Sequence, residues 1–549
     1  MQSYRVPGSV PRILPDEQVA LYLRVVEEGS GRMLPHRLRI VDGEGGYYPP
    51  NGHLDIDAGV FRPGRVVANE PDVIDGGRDW AIVPEGVSTV VLPARSDLQV
   101  HVSHGPEFRL LQRRLDLSNL ARQSREITLE LSRLVDMGQL GWMSADTHVH
   151  SLAPSAALAQ MRVEDIDYVN LMLTGPDHDL LRLGGVTGRP HPVSTQRHLV
   201  YISQEIRDHN QGHLTLLGIT SPIEPVQAWT GAQQGNSNAA KPAPRPNEPL
   251  NWEVHERVEA QGGLTVHAHF LVWPGHGSGV GAGLKRLDGI EWLFTDYARV
   301  GMNRQPWQYQ PVAGYESVYG AGIWYHMLNC GARLPLTGGT DKMGANLVLG
   351  ATARTYVKVD ELSHGEFIRG VDRGATFVTN GPLLLLRVNG RPPGAEIHFA
   401  GKGLHSVHIE LEYFSDRKLG VLELVWNGKV VERRPLDNSD HRVFATQLNI
   451  GESGWLAARI YGEGPEELNW MHMPSAAHTS PVYVTIDGQP AAVSQSARYM
   501  IARLEGTLDW ARDNERWSST AYRERALDSF RRAKSYYQRA LGRALDAAP

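Results

Sequence analysis

The sequence predicts a multidomain α/β plus β protein, in which a central βα barrel is flanked by two β-sandwich domains and followed by a helical tail. Three observations predict it. Apolar and polar residues alternate with the period of two expected of strands over about residues 18–134, and again after Gly374. Between these blocks, from Gly141 onward, short apolar runs end in His, Asp or Glu and alternate with helical segments. From Ser494 the apolar spacing becomes helical. The expected boundaries are 1–137, 138–384, 385–492 and 493–549.

Composition narrows the class of function. A chain of 549 residues is too long for one hydrophobic core, and 57 Gly with 34 Pro suit β-rich modules joined by many turns. Net charge is −6 and no basic run is present, which argues against a nucleic-acid partner. Cys330 is the single cysteine, so no disulfide framework and no cysteine-based zinc site can form. Any metal must be held by His and carboxylates. The N-terminus, MQSYRVPGSVPRILP, has no signal-peptide core, and no stretch has the length of a membrane span. The expectation is a cytoplasmic enzyme without a membrane partner, unless a leader was trimmed.

In the first block the runs from Val19, Arg37, Ser88 and Leu98 read as strands, separated by turns such as Asp42-Gly43. They predict an antiparallel, immunoglobulin-like sandwich with an accessory role. In the middle block the predicted strands begin at Tyr168, Leu199, Leu214, Gly263 and Leu334, and the predicted helices span Asn251 to Ala260 and Gly320 to Cys330. Residues 221–250 are rich in Pro, Ala, Asn and Gln, and read equally as a lid or as a plain insertion. After Gly374, runs from Leu385, Ser406, Val421, Trp455 and Val482 predict a second sandwich, with a hairpin at Asn427-Gly428. In the tail, Ile501, Leu504 and Leu508 space one apolar stripe and Leu527, Phe530, Tyr537 and Leu541 another. This predicts a helical hairpin packed on the core or against a second copy in a homodimer.

Five polar clusters fall at or just after predicted strand ends of the middle block. They are Asp146-Thr-His148-Val-His150, Asp177-His178-Asp179, Glu205 with His213, His267-Ala-His269, and Gly338-Gly-Thr-Asp341. Residues i and i+2 of a strand share a face, so His148 and His150 can reach one ion. Each cluster alone has a plain structural reading: ordinary core histidines, a helix cap, or a tight turn. Their succession along one domain, at the end where barrels assemble sites, points to Zn²⁺, Mn²⁺ or Fe²⁺.

The same residues in the same order resemble the PHP-domain (polymerase and histidinol phosphatase) superfamily, and more closely its CehA/McbA branch of metal-dependent hydrolases. Arg354-Thr-Tyr-Val and Gly374-Ala-Thr-Phe-Val-Thr-Asn-Gly-Pro382 are similar to blocks of that branch. The resemblance covers about Gly141 to Pro382 and implies a distorted (β/α)7 barrel that hydrolyses its substrate at a metal cluster. Three positions depart from the pattern. The last motif reads Asp341-Lys342-Met343 where the family writes a histidine, the stretch after His150 lacks a third histidine, and Thr174-Gly-Pro-Asp177-His178 interrupts a motif. These positions serve a third metal in relatives, so the expectation here is one or two ions.

The ligand sets that follow are His148, His150, Glu205 and Asp341 for one ion, and Glu205, His213 and His269 for a second. Asp146, Asp177, His267 and Lys342 are candidates for supporting positions, and His178 is a weaker ligand. Asp341 or His178 would move the proton in an attack by metal-activated water on an amide, ester or carbamate bond of a small molecule. Phosphoester hydrolysis is the first alternative, with Arg182, Arg189 and Arg207 as weakly placed anion donors. Trp273, Trp292, Trp307, Tyr309 and Trp324 are available to line a neutral pocket or to fill the core. The second alternative is a binding or scaffold protein that has lost its chemistry.

Overall fold

In the computed structural model, alternation does produce strands in the first block. The residues described are 17–51, 54–55, 80–150, 152–172, 185–208, 210–224, 248–270, 275–292, 322–341, 353–437, 439–462, 475–513 and 516–547. The first unit comprises β1 (Gln18–Glu27), β2 (His36–Val41), β3 (Leu54–Asp55), β4 (Ala81–Val83), β5 (Val87–Pro93), β6 (Leu98–Ser103), β7 (Leu111–Leu115) and β8 (Ser124–Leu131). Sheet β5-β1-β8 faces sheet β3-β4-β2-β6-β7 across a core that includes Leu21, Leu23, Leu38, Ile40 and Val100. The expected all-antiparallel arrangement needs correction, because β1 and β8 run parallel. Hairpins set antiparallel direction only between neighbours in sequence. Here the chain crosses the other sheet before β8 returns to β1.

The middle unit contains β9 (Trp142–Val149), α1 (Pro154–Glu164), β10 (Tyr168–Met172), β11 (Leu199–Ser203), β12 (Glu205–Ile206), β13 (Leu214–Leu217), α2 (Asn251–Glu259) and β14 (Leu264–His267). It continues with α3 (Gly277–Leu284), β15 (Gly289–Glu291), α4 (Gly322–Leu328), β16 (Leu336–Thr337), β17 (Arg354–Lys358), α5 (His364–Asp372) and β18 (Thr376–Thr379). Local signals account for several boundaries. Pro154 opens α1, left-handed Asp165 closes it, and Ser363 caps α5 by accepting from Glu366 N.

These strands form two arcs, and among the described residues no closed ring of ladders. One arc is β12-β13-β14-β15-β16, and the other is β11-β10-β9-β17-β18. Side chains bridge the seams. Asn170 Nδ2 and Ser203 Oγ both donate to Leu216 O, at 3.1 and 2.5 Å. At the other seam Gly338 N donates to Thr355 Oγ1 (2.6 Å), which donates back to Gly338 O (2.9 Å). The arcs bring β9, β12, β14, β15 and β16 around one interior point.

The last units are β19 (Leu383–Val388), β20 (Glu396–Phe399), β21 (His405–Phe414), β22 (Leu419–Trp426), β23 (Lys429–Pro435), β24 (His441–Ile450), β25 (Gly454–Gly462), β26 (Ala476–Thr479), β27 (Val482–Ile486), α6 (Ser494–Asp513) and α7 (Thr520–Asp546). Sheet β19-β21-β24 packs through Leu384, Leu386, Ile409 and Leu411 onto Leu422, Leu424, Leu456 and Ile460. This second sandwich shares its other sheet with the middle unit, because β18 pairs with β26. The sheet therefore runs across the boundary expected at 384. Asn427 (φ 49°) and Gly428 (φ 83°) make the expected hairpin turn.

The helical tail lies on the chain's own core. Met500, Leu504, Leu508, Leu527, Phe530 and Tyr537 join the core of the middle unit, and Tyr537 Oη donates to Gly279 O at 2.8 Å. Close approach explains the Gly-rich α3, since a Cβ on Gly283 would meet Ala533 O at 2.9 Å. Both apolar stripes are used within the chain, so a homodimer through these helices would have to use their outer faces. Among the described residues no helix is long and apolar enough to cross a membrane.

Where the first and middle units meet, Glu107 is buried beside Asp165 and Asp167. Burial, reinforced by the Asp165 charge, pushes the Glu107 carboxyl from 4.5 up to about 8. An acid raised in the folded state keeps its proton while the unfolded chain loses one. Its contribution to stability is intact below pH 4.5 and is lost as pH rises towards 8. Glu107→Gln should therefore gain stability relative to wild type between pH 5 and pH 8, as measured by urea unfolding at each pH. A constant difference would contradict this.

Candidate metal centre

Six side chains converge where the two arcs meet. His148 precedes the last residue of β9 and His150 follows it, Glu205 opens β12, and His213 precedes β13. His269 lies two residues beyond β14, and Asp341 four beyond β16. All six are buried, with His148 and His150 fully so. The sharing of a face by i and i+2 holds for the first pair, since His148 Nε2 and His150 Nε2 lie 3.0 Å apart. His148 Nε2 is 3.2 Å from Asp341 Oδ1 and 3.7 Å from Glu205 Oε1, and His150 Nε2 is 3.2 Å from Glu205 Oε2. His213 Nδ1 is 3.0 Å from Glu205 Oε1, and His269 Nε2 is 3.6 Å from Glu205 Oε1 and 3.4 Å from Asp341 Oδ2.

Within this cluster the sets His148–His150–Glu205, His148–His269–Asp341 and Glu205–His213–His269 each keep their ligand atoms within 4.8 Å of one another. Tetrahedral bonds of 2.0–2.1 Å place ligand atoms about 3.3 Å apart, close to the spacings here. Glu205 belongs to two of the sets, which suits a bridging carboxylate. The set His148–His269–Asp341 is not among the groupings expected from the sequence.

Protonation fits the same use. Burial alone would lower the His148 pKa, but Glu291, Asp341 and Glu205 outweigh it and raise it to about 10. A metal ion bound through His148 would have to displace that proton. Burial lowers the His150 pKa, and that of His269 well below the ordinary range, so both rings are neutral. Burial opposes ionisation of Glu205, yet Arg207, His213 and His150 hold it well below the usual carboxylate range. Neutral imidazoles and ionised carboxylates are the forms that bind metal. Among the described residues the buried His269 Nε2 has no hydrogen-bond partner, although Glu205 and Asp341 oxygens face it at 3.6 and 3.4 Å.

Supporting residues hold this geometry. Asp146 accepts from Thr340 N (2.9 Å), Thr340 Oγ1 (2.7 Å) and His148 N (3.2 Å), tying the Asp341 loop to β9. Glu291 was not foreseen. It accepts from His148 Nδ1 at 2.7 Å and from His269 N at 3.2 Å, which turns Nε2 of His148 inward. The signal was slight, an acid ending the three-residue strand β15. Arg207, weakly placed by sequence, sits with Nε 2.7 Å from Glu205 Oε2.

His267 and His269 do not behave as an alternating strand pair. The strand ends at His267, and His269 takes a left-handed φ of 44°, which turns its ring into the cluster. His267 packs edge-on to Phe270 and against Gly212, where a Cβ would meet its Cε1 at 2.2 Å. It is in none of the three ligand sets. Asp341 shares the left-handed φ of 44°. Such backbone persists where the surroundings dictate it, often at functional sites.

Trp292 and Trp324 are buried in the core of the middle unit. Trp324 Nε1 donates to Leu334 O at 3.0 Å, and both rings pack against His478. Asp177, His178, Arg182, Trp273, Trp307, Tyr309 and Lys342 lie outside the described residues, as do residues 225–247 of the expected lid.

Gly339 gives a sharp test of the packing. A Cβ there would lie 2.5 Å from His148 N and 2.6 Å from His148 Cβ. Gly339→Ala should cost about 1–3 kcal/mol by overpacking and weaken metal affinity about 10–100-fold by tilting His148. Metal titration of the variant followed by unfolding checks both effects.

No protein-family model matches the chain, and no curated protein matches it. Among solved structures, phospholipase PlaB from Legionella pneumophila in complex with thio-NAD is similar over 22% of this chain, at 15% identity and a TM-score of 0.13. The match spans 27% of that protein's own chain, and a likeness this slight bears on neither fold nor function.

Proposed function

We propose that this chain is a metal-dependent hydrolase acting on an amide, ester or carbamate bond of a small organic substrate. The observation that carries the reading is the buried convergence of His148, His150, Glu205, His213, His269 and Asp341, with His269 Nε2 lacking a hydrogen-bond partner among the described residues. A scaffold would gain nothing from burying these charges, which cost stability unless compensated. The finer fold reading, a distorted (β/α)7 barrel of the CehA/McbA branch of PHP domains, belongs to the same proposal. It is supported by the placement of the cluster at strand ends of two facing arcs.

One or two bound Zn²⁺, Mn²⁺ or Fe²⁺ ions would supply a water acidified to near neutrality and a Lewis acid for the scissile oxygen. His148, His150, Glu205 and Asp341 would hold one ion, and Glu205, His213 and His269 the other. Glu291 fixes the His148 ring and Asp146 the Asp341 loop. Asp341, with an oxygen near each of three imidazoles, is the group placed to take a proton and pass it to the leaving group. Arg207 beside Glu205 is the observation that favours phosphoester hydrolysis as a second reading. Its pairing with a carboxylate leaves it less available to a phosphate.

Metal analysis by inductively coupled plasma mass spectrometry on chelator-free protein tests the proposal, followed by a screen of esters, amides, carbamates and phosphoesters. The expected result is one to two equivalents per chain and turnover of a carbonyl substrate that Asp341→Asn abolishes. Absence of metal after reconstitution would overturn the reading, and turnover of phosphoesters alone would move it to the second.

A further inference from the structure

We propose that the cleft between helix α6 and the loop around His276 is a second binding site, for a small organic molecule carrying an oxyanion, with Arg503 as its anchor. The cavity has a volume of about 620 Å³ and is lined by Asn210, His276, Tyr499, Arg503, Gly506 and Thr507. That volume is in the range of small-molecule pockets.

The case rests on Arg503. Arg37, Arg354 and Arg459 are buried guanidiniums, and each meets a glutamate, Glu164 for the first two and Glu423 for the third. Arg503 is half-buried rather than fully enclosed like these three, and among the described residues no carboxylate lies within ion-pair distance of it. Its Nη2 donates to Gly275 O at 2.7 Å, which answers one of five donors. A guanidinium partly withdrawn from water without a counter-charge is less well solvated than a free one, and an incoming carboxylate or phosphate supplies that charge bidentately. Desolvation correspondingly lowers the Arg503 pKa.

The walls are preorganised for the remainder of such a molecule. The His276 ring stacks on Trp510 (4.3 Å between centroids, 11° between planes) with Nδ1 3.3 Å from Thr507 Oγ1. Tyr499 is held by stacking on His326 at 4.1 Å. These rings offer flat apolar faces beside the charged anchor. At Gly506 an added Cβ would meet no atom within 4 Å, so the helix leaves room there.

The cleft is separate from the candidate metal centre but shares a wall with it. His276 N donates to Asn210 O and Gly277 N to Gln211 O, both at 2.8 Å, three and two residues before His213. Occupancy of the cleft would therefore brace the segment that presents His213.

The test is isothermal titration of the full chain with benzoate and with phenyl phosphate, in wild type, Arg503→Gln, Gly506→Leu and His150→Ala. Binding is expected in wild type and unchanged in His150→Ala, which disables only the candidate metal centre. It should fall ten-fold or more in Arg503→Gln. Gly506→Leu should also lose it, filling the cleft while keeping the charge and improving helix propensity. The probe that binds more tightly identifies the source as carboxylate or phosphate. Equal binding by wild type and both cleft variants would overturn the proposal, as would absence of saturable binding to wild type. Loss in His150→Ala with retention in Arg503→Gln would place the probe at the metal centre, which removes the second site and leaves the hydrolase reading intact.

Discussion

On the hydrolase reading proposed above, replacing His150 with alanine should leave the chain folded, abolish metal binding and lower the hydrolytic rate by on the order of 10³-fold or more. His150 is fully buried, with Nε2 3.0 Å from His148 Nε2, 3.2 Å from Glu205 and 3.5 Å from Asp341. A bound ion stabilises the folded state by RT ln(1 + [M]/Kd), about 2.7 kcal/mol at 100 times Kd. Wild type should therefore melt at a higher temperature with metal than with chelator. In His150→Ala that difference should vanish, even if the variant's own melting point moves for reasons of packing. A variant that keeps both its metal and its chelator-sensitive melting would remove His150 from the ligand set.

The second large effect lies away from the centre. Glu164, at the end of α1, meets two buried guanidiniums, Arg37 from β2 and Arg354 from β17. Arg354 also donates through Nη1 to Glu164 O at 3.0 Å. The three residues are 6%, 1% and 2% exposed for Arg37, Glu164 and Arg354, so water cannot replace a missing partner. Glu164→Ala should cost about 3–5 kcal/mol, because it removes the carboxylate that two buried guanidiniums share. The surface pair Arg24–Glu126 is the control, since its side chains are half exposed or more. Glu126→Ala should change stability by less than about 1 kcal/mol. Similar losses in urea unfolding for the two variants would show that the Glu164 cluster is not the clamp between the first and middle units.

The candidate site was legible in proportion to how local its signals are. His148 and His150 share a strand, and the spacing of two brings both imidazoles to one side whatever the chain does elsewhere. Glu205 and Asp341 follow predicted strands that do form. The His267–His269 pair shows where the rule stops, because a left-handed residue after the strand breaks alternation. Glu291 escaped because three residues of strand carry no readable period. The role of Arg207 depends on a 2.7 Å contact with Glu205 that nothing in its neighbourhood along the chain implies.

What the sequence by itself determined is the kind and position of its elements: strand blocks, the two middle helices, the Asn427-Gly428 turn, the amphipathic tail and the residues able to hold a metal. These follow from periodicity, backbone preference and side-chain chemistry, which act over a few residues. Only the tertiary structure decided how they associate. It joined β18 to β26 so that one sheet serves two units, ran β8 parallel to β1 and closed the tail onto α3. It also left two arcs bridged by Asn170, Ser203 and Thr355. Such pairings depend on contacts between residues far apart in the chain, where many partners offer similar apolar surface. Close packing and the pairing of buried charges then select one of them.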